Sequence, residues 1–313
     1  MKKFFEDFEG NIFLFLLTFL FVFLLTGCGE EAASGKTSLR VTAGVPPVAF
    51  LVRSIAGERV AVTTMLPEGK SPHDYAPGPQ DVRNAASSRV FFSTGLPFEV
   101  RAVKPLQAVK IVDVTSRTAK IPFGGDHDHG PGCIHDHADH KGHHHEEMDP
   151  HVWLDLDNVA VIAREITGEL SLLDPAGREI YEKNCEVLLK KIKKADEEIK
   201  KKLAPHKGKE FFVYHAAFGY FAHRYHLRQT AIELGGREIA PARLAEVIRK
   251  ARKAGTRVIF VQPQFNPASS KALASAIGGE VAPLDPLAGD VVKNLLDMAE
   301  SIHSGLKASG GNK

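Results

Sequence analysis

PAGREIYEKNCEVLLKKIKKADEEIKKK (Pro175–Lys202) decides how the rest of the chain is divided. Ile180, Leu188, Ile192, Ala195, Ile199 and Leu203 fall at spacings of three, four and eight, with lysines and acids elsewhere. That is the stripe of one long amphipathic helix. At ~1.5 Å per residue it spans about 40 Å, longer than a usual packing helix. Such a helix can bridge two domains and resist their hinging, or it can belong to a single domain; periodicity alone leaves both open.

On its N-terminal side, β-rich runs at Leu39–Ala43, Val60–Met65, Val90–Ser93 and Lys110–Val112 alternate with helical stretches at Val48–Ala56 and Gln80–Ser88. A further helix is expected over Val159–Leu173, and Asp174-Pro175 breaks the pattern. On the C-terminal side the alternation resumes. Strands are expected at Glu210–Tyr214, Val258–Val261 and Val281–Leu284, with helices at Phe218–Tyr225, Pro241–Ala254, Ala268–Ile277 and Asp290–Leu306. Alternation of this kind predicts parallel α/β units. No internal repeat is convincing by sequence.

The first residues are a targeting segment. Lys2 and Lys3 precede the apolar run Ile12–Leu25, which has signal-peptide length and is short for a membrane span. It ends in Leu25-Thr26-Gly27-Cys28, which resembles a bacterial lipobox, so Cys28 is the expected lipidation site. Loss of residues 1–27 removes two lysines and three acids, and the formal charge moves from +2 to +3. That balance gives no argument for nucleic acid. Of the other cysteines, Cys133 lies in a loose tract and Cys185 on the long helix, so both are read as unpaired, with Cys133 a further metal donor.

Nine of the fifteen histidines crowd into Gly124–Asp157. Eight of them, His127, His129, His135, His137, His140, His143, His144 and His145, sit among Gly and Asp in a low-complexity tract. Such composition attracts metals but cannot preorganise one tight site. The ninth, His151, opens the apolar segment that contains the only Trp. Ligands of open α/β sheets bind beyond the carboxyl ends of strands. His73 in a Pro-bounded loop, His151, His215 at the end of FFVYH and Asp285 at the end of VAPLD occupy such places or the segments between them. Three imidazoles and a carboxylate suit Zn²⁺.

Four segments make the pattern specific: Ser71-Pro72-His73-Asp74-Tyr75, Asp149-Pro150-His151-Val152-Trp153-Leu154-Asp155, Val213-Tyr214-His215-Ala216-Ala217-Phe218-Gly219-Tyr220 and Leu284-Asp285-Pro286-Leu287. In this order they resemble the signature regions of the zinc/manganese (cluster A-I) solute-binding proteins of metal ABC transporters. Gly95-Leu96-Pro97-Phe98-Glu99 and Val258-Ile259-Phe260-Val261-Gln262-Pro263-Gln264-Phe265 look like further segments of that family. The resemblance implies an α/β fold: two Rossmann-like lobes with parallel sheets, one long linking helix, and the metal in the cleft between lobes. The expected organisation is a signal peptide over 1–27, a tether over 28–38 and a first lobe over 39–173 with the His-rich loop 124–147. The linking helix follows over 174–207, then a second lobe over 208–308 and a tail over 309–313.

The resemblance also implies a ligand set of His73, His151, His215 and Asp285, with Asp285 either a ligand or an outer anchor beside a bound water. Histidine at the third ligand position, together with the His-rich insertion, resembles the zinc-uptake subgroup, and imidazole favours zinc over the oxygen-preferring manganese. The expected function is extracytoplasmic capture of Zn²⁺ as a transported ligand. The protein would be a lipid-anchored monomer in a bacterial periplasm or on the outer face of the cell membrane, delivering to an ABC permease and its ATPase. The alternatives are a three-histidine zinc hydrolase, against which stands the absence of an H-E-x-x-H pair, and a surface adhesin on the same scaffold.

Overall fold

The computed structural model describes residues 39–123, 148–233, 241–265, 271 and 274–310. The signal segment, Cys28, the tether, the His-rich tract with Cys133 and the last three residues lie outside the described residues. No described helix is long and apolar enough to cross a membrane.

The first half runs β1 (Leu39–Ala43), α1 (Pro46–Ala56), β2 (Val60–Thr64), α2 (Pro79–Ala86), β3 (Val90–Ser93), α3 (Pro97–Val103) and β4 (Lys110–Asp113). All four strands are parallel, in the order β2-β1-β3-β4. The inner strand β3 is buried at every residue, whereas the edge strand β4 is half-exposed or exposed at every residue. That contrast is why Val-Phe-Phe reads as continuous apolar sequence: both of its faces are covered. A short 3-10 turn, Val152–Leu154, then leads into α4 (Leu156–Leu173). Asp155 caps α4 by accepting from the amides of Asp157 (2.7 Å) and Asn158 (3.0 Å).

The linking helix α5 spans Arg178–Leu203, 26 residues, or about 39 Å at ~1.5 Å each. It starts three residues later than the sequence pattern suggests. Pro175–Gly177 form a 3-10 turn in which the Gly177 amide donates to Asp174 O at 3.0 Å. Its buried stripe is Tyr181, Cys185, Leu188, Ile192, Ala195, Ile199 and Leu203; Ile180, assigned to the stripe from sequence, is 44% exposed. The stripe packs on α1, α4 and the last helix, α8, so elements from both ends of the chain share α5 as a wall.

The second half runs β5 (Glu210–His215), α6 (Gly219–Arg224), β6 (Arg228–Glu233), α7 (Pro241–Lys253), β7 (Val258–Val261), β8 (Glu280–Pro283) and α8 (Val291–Gly310). Its sheet is again all-parallel, in the order β6-β5-β7-β8. The two sheets therefore share one topology, a repeat invisible in the residues. In each, the chain leaves the central pair in opposite directions, making a topological switch point at β1/β3 and another at β5/β7. Two elements are additions to the sequence reading: the short helix α3 and the strand β6.

Candidate metal centre

His215 is the last residue of β5, at the β5/β7 switch point. Its backbone is held there by a side chain. Gln262, just past β7, accepts from the His215 amide (3.2 Å) and donates to the His215 carbonyl (2.8 Å), continuing the ladder by one rung. Beyond β2, the loop bearing His73 cannot be regular because it contains Pro67, Gly69 at φ +74° and Pro72. It is fastened instead through Tyr75, whose ring packs edge-on against Phe98 and whose hydroxyl donates to Asp81 at 2.8 Å. His151 sits immediately before the 3-10 turn of Val152, Trp153 and Leu154, all buried. Trp153 Nε1 donates to Pro286 O at 2.7 Å, tying this segment to the loop after β8.

These three elements bring His73, His151 and His215 together. One ring nitrogen from each lies within 4.8 Å of the other two, and His73 Nε2 is 3.0 Å from His215 Nε2. His151 and His215 are 3% and 2% exposed, while His73 closes the set from an exposed loop. Ser71, Pro72, Gln264, Phe265, Pro286 and Leu287 complete the wall. The space open to the centre of a water-sized sphere is about 10 Å³, which suits one ion or one water.

A carboxylate stands behind each buried imidazole. His151 Nδ1 is 2.8 Å from Asp149 Oδ1, and His215 Nδ1 is 2.7 Å from Glu233 Oε2. Each Nδ1–H donates to its carboxylate, which fixes the tautomer and leaves Nε2 with its lone pair free for the cavity. Asp149 Oδ1 also accepts from the His151 amide at 2.9 Å, so one oxygen positions both backbone and ring. At His73, loss of solvation and then the charges that His215 and His151 would carry push the pKa down to about 4. Its ring is therefore neutral, as a ligand must be, at neutral pH.

Asp285 is not among the described donors that meet. Its Oδ1 accepts from Gln264 Nε2 (2.8 Å) and from the Leu287 amide (2.9 Å), and its side chain lines a neighbouring cleft. The eight histidines from His127 to His145 lie outside the described residues. His206 is 8% exposed; its Nε2 lies 2.9 Å from His303 Nδ1 because the turn after α5 packs on α8. His223 and His226 are exposed.

Glu233 and Gln262 escaped the sequence reading as site residues, and Asp149 was noted only as the residue before Pro150. The D-x-H spacing is a usable signal for Asp149, since two residues of separation let a carboxylate fold onto the ring. Glu233 gives no local signal. It reaches His215 only because β6 pairs with β5 in parallel, placing residue 233 beside residue 215.

The whole described fold has known relatives. The family model described as zinc-uptake complex component A, periplasmic (ZnuA), matches residues 41–308. The zinc-binding lipoprotein AdcA of Streptococcus pneumoniae (strain ATCC BAA-255 / R6) is 30% identical over 288 residues, covering 88% of this chain and 55% of the relative. The chain thus spans about half the length of that relative. The high-affinity zinc uptake system protein ZnuA of Yersinia pestis is 28% identical over 270 residues, covering 82% of this chain and 85% of the relative. A crystal structure of a ZnuA deletion mutant with zinc bound superposes with a TM-score of 0.74 at 30% identity, covering 85% of this chain and 97% of the other. With the family model matching almost the whole chain beyond the targeting segment, this protein belongs to the ZnuA family of periplasmic zinc-uptake components.

Proposed function

We propose that this protein captures Zn²⁺ outside the cytoplasmic membrane and hands it to an ABC-type uptake permease driven by its ATPase. The observation that carries the reading is the convergence of His73, His151 and His215 on one ion-sized cavity, with carboxylates behind the two buried rings. Three neutral nitrogen donors in that arrangement suit Zn²⁺, and the carboxylates raise the basicity of the imidazoles while offsetting the ion's charge. The three histidines are proposed as the ligands. Between and beside them the wall offers amide, hydroxyl and apolar groups, a set for holding an ion rather than for deprotonating a nucleophile. Relatives named for zinc binding and zinc uptake support the same reading.

Anchoring through lipid on Cys28, after removal of residues 1–27, belongs to this proposal, as does a monomeric working state. So does the role of His127, His129, His135, His137, His140, His143, His144 and His145 as weak accessory sites that raise zinc concentration near the cleft. The proposed lobes are residues 39–173 and 208–308, with 174–207 linking them. The biological test is deletion of the gene in its host, followed by growth and radiolabelled zinc uptake in chelator-treated medium. Reduced zinc uptake and a growth defect relieved by added zinc are expected. Unchanged uptake, or relief by manganese alone, would contradict the proposal.

A further inference from the structure

The strands of both sheets begin with cations. In the first sheet Arg59, Arg89 and Lys110 stand at or immediately before the first residues of β2, β3 and β4, and Arg40 is second in β1. In the second sheet Lys209, Arg228 and Arg257 do the same for β5, β6 and β7; among the described strands only β8 opens on an acid, Glu280. All seven cations are exposed. Arg59 pairs with Asp174 and Lys110 with Glu169, but Arg40, Arg89, Lys209, Arg228 and Arg257 have no carboxylate partner among the described residues. Arg40 and Arg89 are also neighbours across β1 and β3, where the Arg89 amide donates to the Arg40 carbonyl at 2.8 Å. Like charges side by side on paired strands repel, and an anionic surface facing them would relieve that repulsion.

Strand direction gathers these cations on one side of the molecule. The histidines meet where strands end, His215 at the last residue of β5 and His73 in the loop beyond β2, so the strand starts lie on the side away from the cavity. The linking helix joins the lobes on that same side. Just before its start, Asp174 takes the Arg59 guanidinium beside the first residue of β2. Just after its end, a 3-10 turn over Ala204–His206 leads through Lys209 into β5. Leu39, the first described residue, opens β1 on this side as well.

Resting on the reading that Cys28 carries a lipid, we propose that this basic side is a docking surface for an anionic phospholipid bilayer. Eleven residues, 28–38, separate the anchor from Leu39, so the start of β1 stays within about 40 Å of the membrane at ~3.3–3.6 Å per residue. A basic patch reinforces a lipid anchor, because each cation near an anionic surface adds attraction that fades within a Debye length. In this pose the zinc cavity opens away from the bilayer, toward the medium that supplies the ion. Contact through solvent-screened charges is reversible, so the protein can leave the pose to deliver its ion.

Vesicle co-sedimentation tests this on residues 28–313 carrying Cys28→Ser, a chain that contains the whole described fold without the lipid. Binding to vesicles of equal parts phosphatidylglycerol and phosphatidylcholine is expected, weakening as salt rises, with none to phosphatidylcholine alone. Arg40→Glu, Arg89→Glu and Lys209→Glu together should lower the affinity at least about tenfold. Lys70 beyond β2, Arg117 beyond β4 and Lys293 in the first turn of α8 are exposed cations on the cavity side. Lys70→Glu, Arg117→Glu and Lys293→Glu together make the same change of net charge and should keep the affinity within about threefold. Both triple variants should keep the zinc affinity of the unaltered chain, which checks their fold. Failure of the unaltered chain to bind the anionic vesicles, equal binding to phosphatidylcholine alone, or equal loss in the two triple variants overturns the proposal. Absence of lipid from Cys28 in mass spectrometry of the native protein would instead defeat the anchor reading.

Discussion

His215 at the end of β5 and Glu233 at the end of β6 stand side by side in parallel register, Nδ1 2.7 Å from Oε2, with both side chains buried. The register fixes the pairing, and the pairing fixes which ring nitrogen faces the cavity. Replacing Glu233 by Leu should lower Zn²⁺ affinity by about 10- to 100-fold, the usual effect of losing such an outer partner. Glu233→Gln keeps an acceptor and should recover part of the loss. Chelator competition measures both, and affinities within threefold of the unaltered protein would remove Glu233 from the account.

Gly219, the first residue of α6, has no room for a side chain. A Cβ there would lie 2.6 Å from Asp149 Oδ2, and Asp149 is the residue that orients His151. Gly219→Ala should destabilise the fold by about 1–3 kcal/mol through overpacking and weaken zinc binding as well. Gly168, in the middle of α4, meets nothing within 4 Å and is exposed, so Gly168→Ala should stabilise by about 0.5–1 kcal/mol with zinc affinity unchanged. Urea denaturation of the two variants gives the comparison.

Arg224 ties three elements together. It donates from Nε to Asp196 of α5 (2.7 Å) and from Nη1 to Asp157 (2.6 Å) and to the α4 cap Asp155 (3.3 Å). Its side chain is 9% exposed, so truncation leaves Asp155 without a cation and Asp196 with only Lys200 and the Tyr225 hydroxyl as partners. Arg224→Met should cost about 3 kcal/mol. Arg224→Lys should recover little, because an ammonium cannot serve three carboxylates from one planar fork. Thermal unfolding of the metal-free variants is the measurement.

Acid should act on the metal-free protein through His73. Its folded pKa of about 4 lies below the ordinary 6.5 of an unfolded histidine. Between these values the unfolded chain holds a proton that the folded chain refuses. Stability from this group is therefore complete above about 6.5 and is lost progressively as pH falls toward about 4. A nitrogen-detected NMR titration should place the His73 midpoint well below 6.5; a midpoint near 6.5 would show a solvated ring. Proton competition at this ligand then sets in at lower pH than an unperturbed histidine implies.

Much of this was legible in the residues. The strands of both sheets other than β6 follow from short apolar runs between turn signals, and the three histidines fall at loop and strand ends where an α/β sheet offers them. The linking helix was legible too, but its phase was taken one residue off at the start: Ile180 looks more apolar than Tyr181, yet Tyr181 is buried because its hydroxyl reaches Asp174 at 2.5 Å. β6 was missed because Arg228-Gln229-Thr230-Ala231-Ile232-Glu233 is an edge strand with polar residues at both ends. Losing the strand meant losing Glu233, since only strand pairing brings it to His215. His206 and His303 meet in the same way, 97 residues apart in the chain. Contacts made by the fold rather than by neighbours in sequence leave no local trace.

The central claim is that one zinc ion is held by His73, His151 and His215 and that the His-rich tract is dispensable for holding it. Calorimetric titration with Zn²⁺ tests this directly on three forms of the protein: unaltered, deleted from Asp126 to Glu147, and with all three histidines replaced by alanine. A single tight site in the first two and none in the third is the expected result. A tight site that survives the triple replacement, or disappears with the deletion, would contradict the account.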